Sequence, residues 1–86
     1  MLSYEDCVGL AELTEDEIEA IAAHEHIPQI VAAEMGSYLI HDVDGVPRIR
    51  DILIDDICVA ESMGNARRCL HLRHVLARFE STHPHR

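Results

Sequence analysis

Residues 47–80, PRIRDILIDDICVAESMGNARRCLHLRHVLARFE, decide the fold. Ile49, Ile52, Leu53, Ile57, Ala60 and Met63 recur at the period of an amphipathic helix, and Pro47 suits a helix start. The pattern predicts a helix over about 47–63. Gly64 fits the cap that closes it, and Asn65 can cap the next helix at once. That helix is expected over about 66–80, with Ala66, Cys69, Leu70, Leu72, Leu76 and Phe79 as its apolar residues. A two-residue junction of this kind implies an antiparallel helical hairpin.

Upstream of the hairpin, Asp42 to Pro47 is turn chemistry, with Gly45 expected to supply an unusual backbone dihedral. Before it, Ile27, Ile30, Val31, Met35, Tyr38 and Leu39 form an apolar face that predicts a helix from Pro28 to about Ile40. Thr14 with Glu17 three residues on is a capping box, and Ile18, Ile21 and Ala22 follow at helical spacing, so a helix is expected from about Glu15 to His24. Ser3 ahead of Glu5 and Asp6 marks the start of a short first helix, which Gly9 weakens or ends. The expected fold is therefore all-α: a compact bundle of four main helices plus a short N-terminal helix, ending in the antiparallel hairpin. Residues 1–80 make one helical domain, and 81–86, with Pro84, read as a flexible tail.

At 86 residues a single core is only marginally sufficient, which makes association with a partner or a second copy plausible. Aromatic residues are 3% of the chain, too few for a stacking surface. Residues 1–47 hold eleven acids and no Lys or Arg, whereas 48–86 hold all seven basic residues, each an arginine, against five acids. An acidic half disfavours nucleic acid and anionic membranes and suits a basic partner or cations. Cys7, Cys58 and Cys69 are odd in number and widely spaced, which points to reduced thiols. The N-terminus lacks a basic and an apolar run, and no later stretch is long enough to span a bilayer. A soluble, cytoplasmic protein is expected.

Three helices each place one charge on the apolar stripe as the periodicity draws it: Glu34, Asp56 and Arg73. A charge facing a core costs several kcal/mol unless it is paired. The first expectation is a structural lock in which the planar Arg73 fork bridges one or both carboxylates; the alternative is a ligand or catalytic site. Glu34 has no basic residue in its own half, so a buried Glu34 must be met by an arginine from the hairpin or by a cation.

Other groups suggest metal more weakly. His24-Glu25-His26 adjoins the Pro28 break and could offer two imidazoles and a carboxylate, although residues two apart diverge within a regular helix. His71 and His74 share one face, expected to be exposed. Asp42, Asp44, Gly45 and Asp51 only imitate a calcium loop, since its first position would be Ile40 and its last an aspartate. The one Glu-x-x-His, Glu80 to His83, runs into the tail and argues against a di-iron bundle. No activated nucleophile or glycine-rich phosphate loop is present, so no enzyme activity and no cofactor are expected. The expected function is a small regulatory or accessory protein acting through protein–protein interaction, as a homodimer, through its acidic half or an exposed apolar strip. The alternative is a metal or small-ligand binder using the inward acids or the His24/His26 segment.

Overall fold

The structure is a computed structural model that describes residues 13–83. It is all-α: four helices, α1 (Glu15–Glu25), α2 (Gln29–Ile40), α3 (Gly45–Ser62) and α4 (Ala66–Thr82), with no strand among the described residues. The short helix expected from Ser3 lies outside the described residues.

Local chemistry explains the helix ends. The Thr14 hydroxyl accepts from the Glu17 amide at 3.2 Å, while Glu17 Oε1 accepts from the Thr14 amide at 2.8 Å, so the capping box is complete. Glu17 itself is buried, an outcome the capping motif alone does not imply. Pro28 stands just before α2, where its missing N–H costs nothing. At the end of α3, Gly64 takes a left-handed φ of 68°, its N–H reaches the Glu61 carbonyl, and the Asn65 N–H reaches back to Ala60. That pairing is the Schellman closure, and the Asn65 side chain then accepts from the Arg68 amide at 3.1 Å to begin α4.

Two expected boundaries move. Helix α3 begins at Gly45 rather than Pro47, and Pro47 sits within its first turn, where no helical donor is required. Gly45 has no positive φ; its role is close approach, because a Cβ there would lie 1.6 Å from the Leu39 carbonyl oxygen. Ser81 and Thr82, expected in the tail, instead complete α4, with both hydroxyls donating to the Arg78 carbonyl at 3.0 Å.

Helices α3 and α4 pack closely as the hairpin, α1 lies against α2, α3 and α4, and α2 packs on α1 and α3 while scarcely meeting α4. The core is aliphatic, built from Ile18 and Ile21, Ile49 and Leu53, and Leu72, with Phe79 as the one buried aromatic ring among the described residues.

Two helices present faces other than those expected. On α2 the buried residues are Ala32, Ala33, Gly36 and Leu39, whereas Val31 and Tyr38 are 45% and 72% exposed. Small residues let α2 approach its neighbours closely: a Cβ on Gly36 would come within 2.5 Å of the Leu13 side chain. Glu34 therefore lies on the outer face and is exposed. On α4 the buried set is Leu72, Val75 and Phe79, a bulkier stripe than Ala66, Leu70 and Ala77, which face solvent. Arg73 goes outward with them.

Candidate functional site

Glu34, Asp56 and Arg73 do not form one network. Glu34 and Arg73 are exposed, and Arg73 reaches Glu61 on α3 at 3.3 Å and the Cys69 thiol at 3.3 Å. Only Asp56 keeps its expected place, on the inner side of α3, half-buried. The reason is local: on α3 the stripe as drawn coincides with the buried set Ile49, Ile52, Leu53, Ile57 and Ala60, whereas on α2 and α4 it runs through residues that face solvent.

A different charge cluster occupies the junction of α1, α3 and α4. Arg68 makes a two-pronged ion pair with Glu19, Nη1 to Oε1 at 2.5 Å and Nη2 to Oε2 at 2.9 Å. Beside it, His24 lies 2.6 Å from Glu25 through Nδ1 and 3.3 Å from Asp55 through Nε2. Asp56 sits between them without a hydrogen bond at Oδ2, which is buried. Arg68, and not Arg73, is thus the hairpin arginine that answers an acid of the N-terminal half. Its sequence signal was present: Arg68 precedes Leu72, Val75 and Phe79 at helical spacing.

Electrostatics follow from this placement. Burial pushes the Asp56 carboxyl up to about 6; the nearby His24 and Arg68 charges oppose that rise, and Glu19 and Asp55 add to it. Burial works against a charged His24, but hydrogen bonds to Glu25 and Asp55 and the field of Asp56 outweigh it, so its pKa is raised. Since Asp56 binds its proton more tightly folded than unfolded, stability falls as pH rises from the ordinary aspartate value of 3.8 to about 6. His24 acts in the same direction: its contribution is present below 6.5 and is lost as pH rises through its raised folded value. The Asp56 shift corresponds to about 3 kcal/mol unscreened, and to about 1 kcal/mol after discounting for solvent at a half-buried site. Asp56→Asn should therefore stabilise the protein by about 1 kcal/mol at pH 7.5, with the gain gone by about pH 4. Paired denaturant melts at the two pH values measure it, and a less stable variant at pH 7.5 would contradict the account.

A cleft of about 180 Å³ opens next to Asp56, bounded by Ala23, Val59, Met63, Asn65 and Arg68. The unpartnered Oδ2 is sealed from it, so a ligand would meet that oxygen only after Asp56 turned. His24 and Glu25 do come together, but His26 is exposed, in a left-handed conformation with φ 56° at the end of α1. Among the described residues, no three His, Cys, Asp or Glu side chains converge to hold a metal ion. His71 is exposed 3.7 Å from Asp16, and His74 is exposed beside it on α4.

The second feature of note is the outer face of α2. Tyr38 and Val31 are seven residues apart on the same side, with the half-buried Met35 at their flank. Comparison with known proteins found no matching family model, curated protein or solved structure. No helix among the described residues is long and apolar enough to cross a membrane.

Proposed function

We propose that this protein is a non-enzymatic interaction module that offers the outer face of α2 to another protein, and that its first partner is a second copy of itself. The observation that carries this reading is the inverted use of α2: small residues face the core while Tyr38 and Val31 face outward, 72% and 45% exposed. Large apolar side chains grouped on an exposed helix face mark a surface that another protein covers. Tyrosine and methionine are also the residues that recur at the centres of protein interfaces, where an aromatic body is buried and its hydroxyl stays at the rim.

The small size of the chain agrees with this assignment, because a modest core gains from surface covered by association. The acidic first half keeps the monomer soluble while the apolar face is uncovered. The charge cluster is then a structural joint between α1, α3 and α4 and takes no direct part in binding.

Val31→Ser combined with Tyr38→Ser tests the assignment. Both side chains are exposed, so melting should change by no more than about 0.5 kcal/mol. Self-association, followed by sedimentation velocity across concentration, should weaken about tenfold or more. A wild-type chain that remains monomeric at high micromolar concentration refutes the assignment, as does a double variant that associates like wild type.

A further inference from the structure

The outward side of α4 carries Arg67, His71, His74 and Arg78, at i, i+4, i+7 and i+11, all exposed. At 100° per residue they fall within an arc of about 60° and make one ridge about 16 Å long. Neither Arg67 nor Arg78 has an ion pair among the described residues, and the nearest acid to the ridge is Asp16 of α1, 3.7 Å from His71. Along its edge lies Leu70, 72% exposed, flanked by the exposed Ala66 and Ala77. In a chain of net charge −9 this is a concentrated basic surface with an apolar border.

The outer face of α2 has the complementary chemistry. Val31 and Tyr38 are apolar, Glu34 stands between them, and Asp42 is exposed in the turn that follows. From Glu34 to Asp42 is eight residues and from Arg67 to Arg78 eleven, a difference in spacing that the long arginine side chains can span. Pairing like with like leaves charge unmatched: α2 against α2 offers Glu34 and Asp42 no arginine, and α4 against α4 brings arginine near arginine. Unlike faces match in both charge and apolar content.

We propose that copies of this chain associate through unlike faces, α2 of one copy lying on α4 of the next, with Glu34 and Asp42 meeting Arg67 and Arg78 while Tyr38 covers Leu70. The proposal rests on the reading of α2 as an interface and adds the surface that α2 meets. Exposed ion pairs contribute little affinity, so the apolar contact supplies the attraction and the charges select the face.

Two variants and their mixture test it. Glu34→Arg makes the α2 face basic and should weaken self-association about fivefold; Arg67→Glu with Arg78→Glu makes the ridge acidic and should weaken it about tenfold or more. In an equimolar mixture the reversed α2 face meets the reversed α4 face, and the untouched faces meet each other. Association in the mixture should return to within about threefold of wild type, an outcome a misfolded variant could not produce. Wild-type association should also weaken with added salt. The proposal falls if the α4 variant associates like wild type, or if the mixture stays dissociated. If Val31→Ser with Tyr38→Ser abolishes association while the α4 variant does not, α2 remains the interface and only its assignment to α4 is overturned.

Discussion

Gly45→Ala should destabilise the protein by about 3 kcal/mol, the cost of forcing an atom into a packed site that cannot give way. A Cβ at this position would lie 1.6 Å from the Leu39 carbonyl oxygen, 2.4 Å from its carbon and 2.8 Å from its Cα. All three are backbone atoms, so no rotamer change relieves the clash. The same carbonyl accepts from the Asp42 amide at 3.0 Å, and the Asp42 carbonyl accepts in turn from Gly45 at 3.0 Å. Moving α3 away from Leu39 would loosen this turn and separate Leu39 from Ile49, both buried. Gly45 does not have a positive φ, so the requirement is for space and not for a left-handed conformation. Asparagine, which tolerates that conformation, should therefore be no better than alanine. Denaturant melts followed by helical circular dichroism measure the loss, and a cost below about 1 kcal/mol would show that the α2–α3 junction is softer than the packing implies.

A turn after Ile40 was legible in the sequence, but Gly45 to Pro47, expected within it, are helical, and the reason for the glycine was not legible, because its close approach to Leu39 exists only in three dimensions. Helix limits were legible wherever a cap fixed them: Thr14 with Glu17, and Gly64 with Asn65, bond as their sequence order suggests. Helix facing was a different matter. On α3 Ile49, Ile52, Leu53, Ile57 and Ala60 are buried as drawn, with Asp56 half-buried beside them, but Met63 of the same stripe is 76% exposed. On α2, periodicity favoured the large residues Ile30, Val31, Met35 and Tyr38, whereas packing chose the small ones, since close helix approach depends on what is absent from a surface as much as on what is present. On α4, drawing the stripe through Ala66, Cys69 and Leu70 and leaving out Val75 rotated it and drew Arg73 inward. Segregation of all seven arginines to the second half led to Arg73 as the expected partner of a buried Glu34, and both of these residues are exposed. Which pair forms, Arg68 with Glu19, followed only once the facing was known.

Arg68→Ala should cost about 2 kcal/mol at pH 7.5, between the small value of an exposed pair and the 3–5 kcal/mol of a buried one, because the side chains of Arg68 and Glu19 are 29% and 35% exposed. The loss has two parts. Glu19 loses both of its guanidinium hydrogen bonds. Asp56 loses a cation whose field lowers its pKa, and it remains near Glu19 and Asp55, which raise it. The second part gives the substitution a pH signature. Without Arg68 the folded-state pKa of Asp56 rises above its value of about 6, while its unfolded value is unchanged. The variant then takes up a proton on folding over a wider range than wild type, so lowering the pH stabilises it more, and the gap between the two should narrow from pH 7.5 to about 5.5. Arg68→Lys keeps the positive charge near Asp56 but cannot make the two-pronged contact, and should recover about half of the loss. Stability curves for wild type and both variants at the two pH values separate the contributions. A gap that is constant with pH would mean that Asp56 does not sense Arg68, and equal losses in the two variants would mean that the geometry of the Glu19 contact accounts for the whole effect.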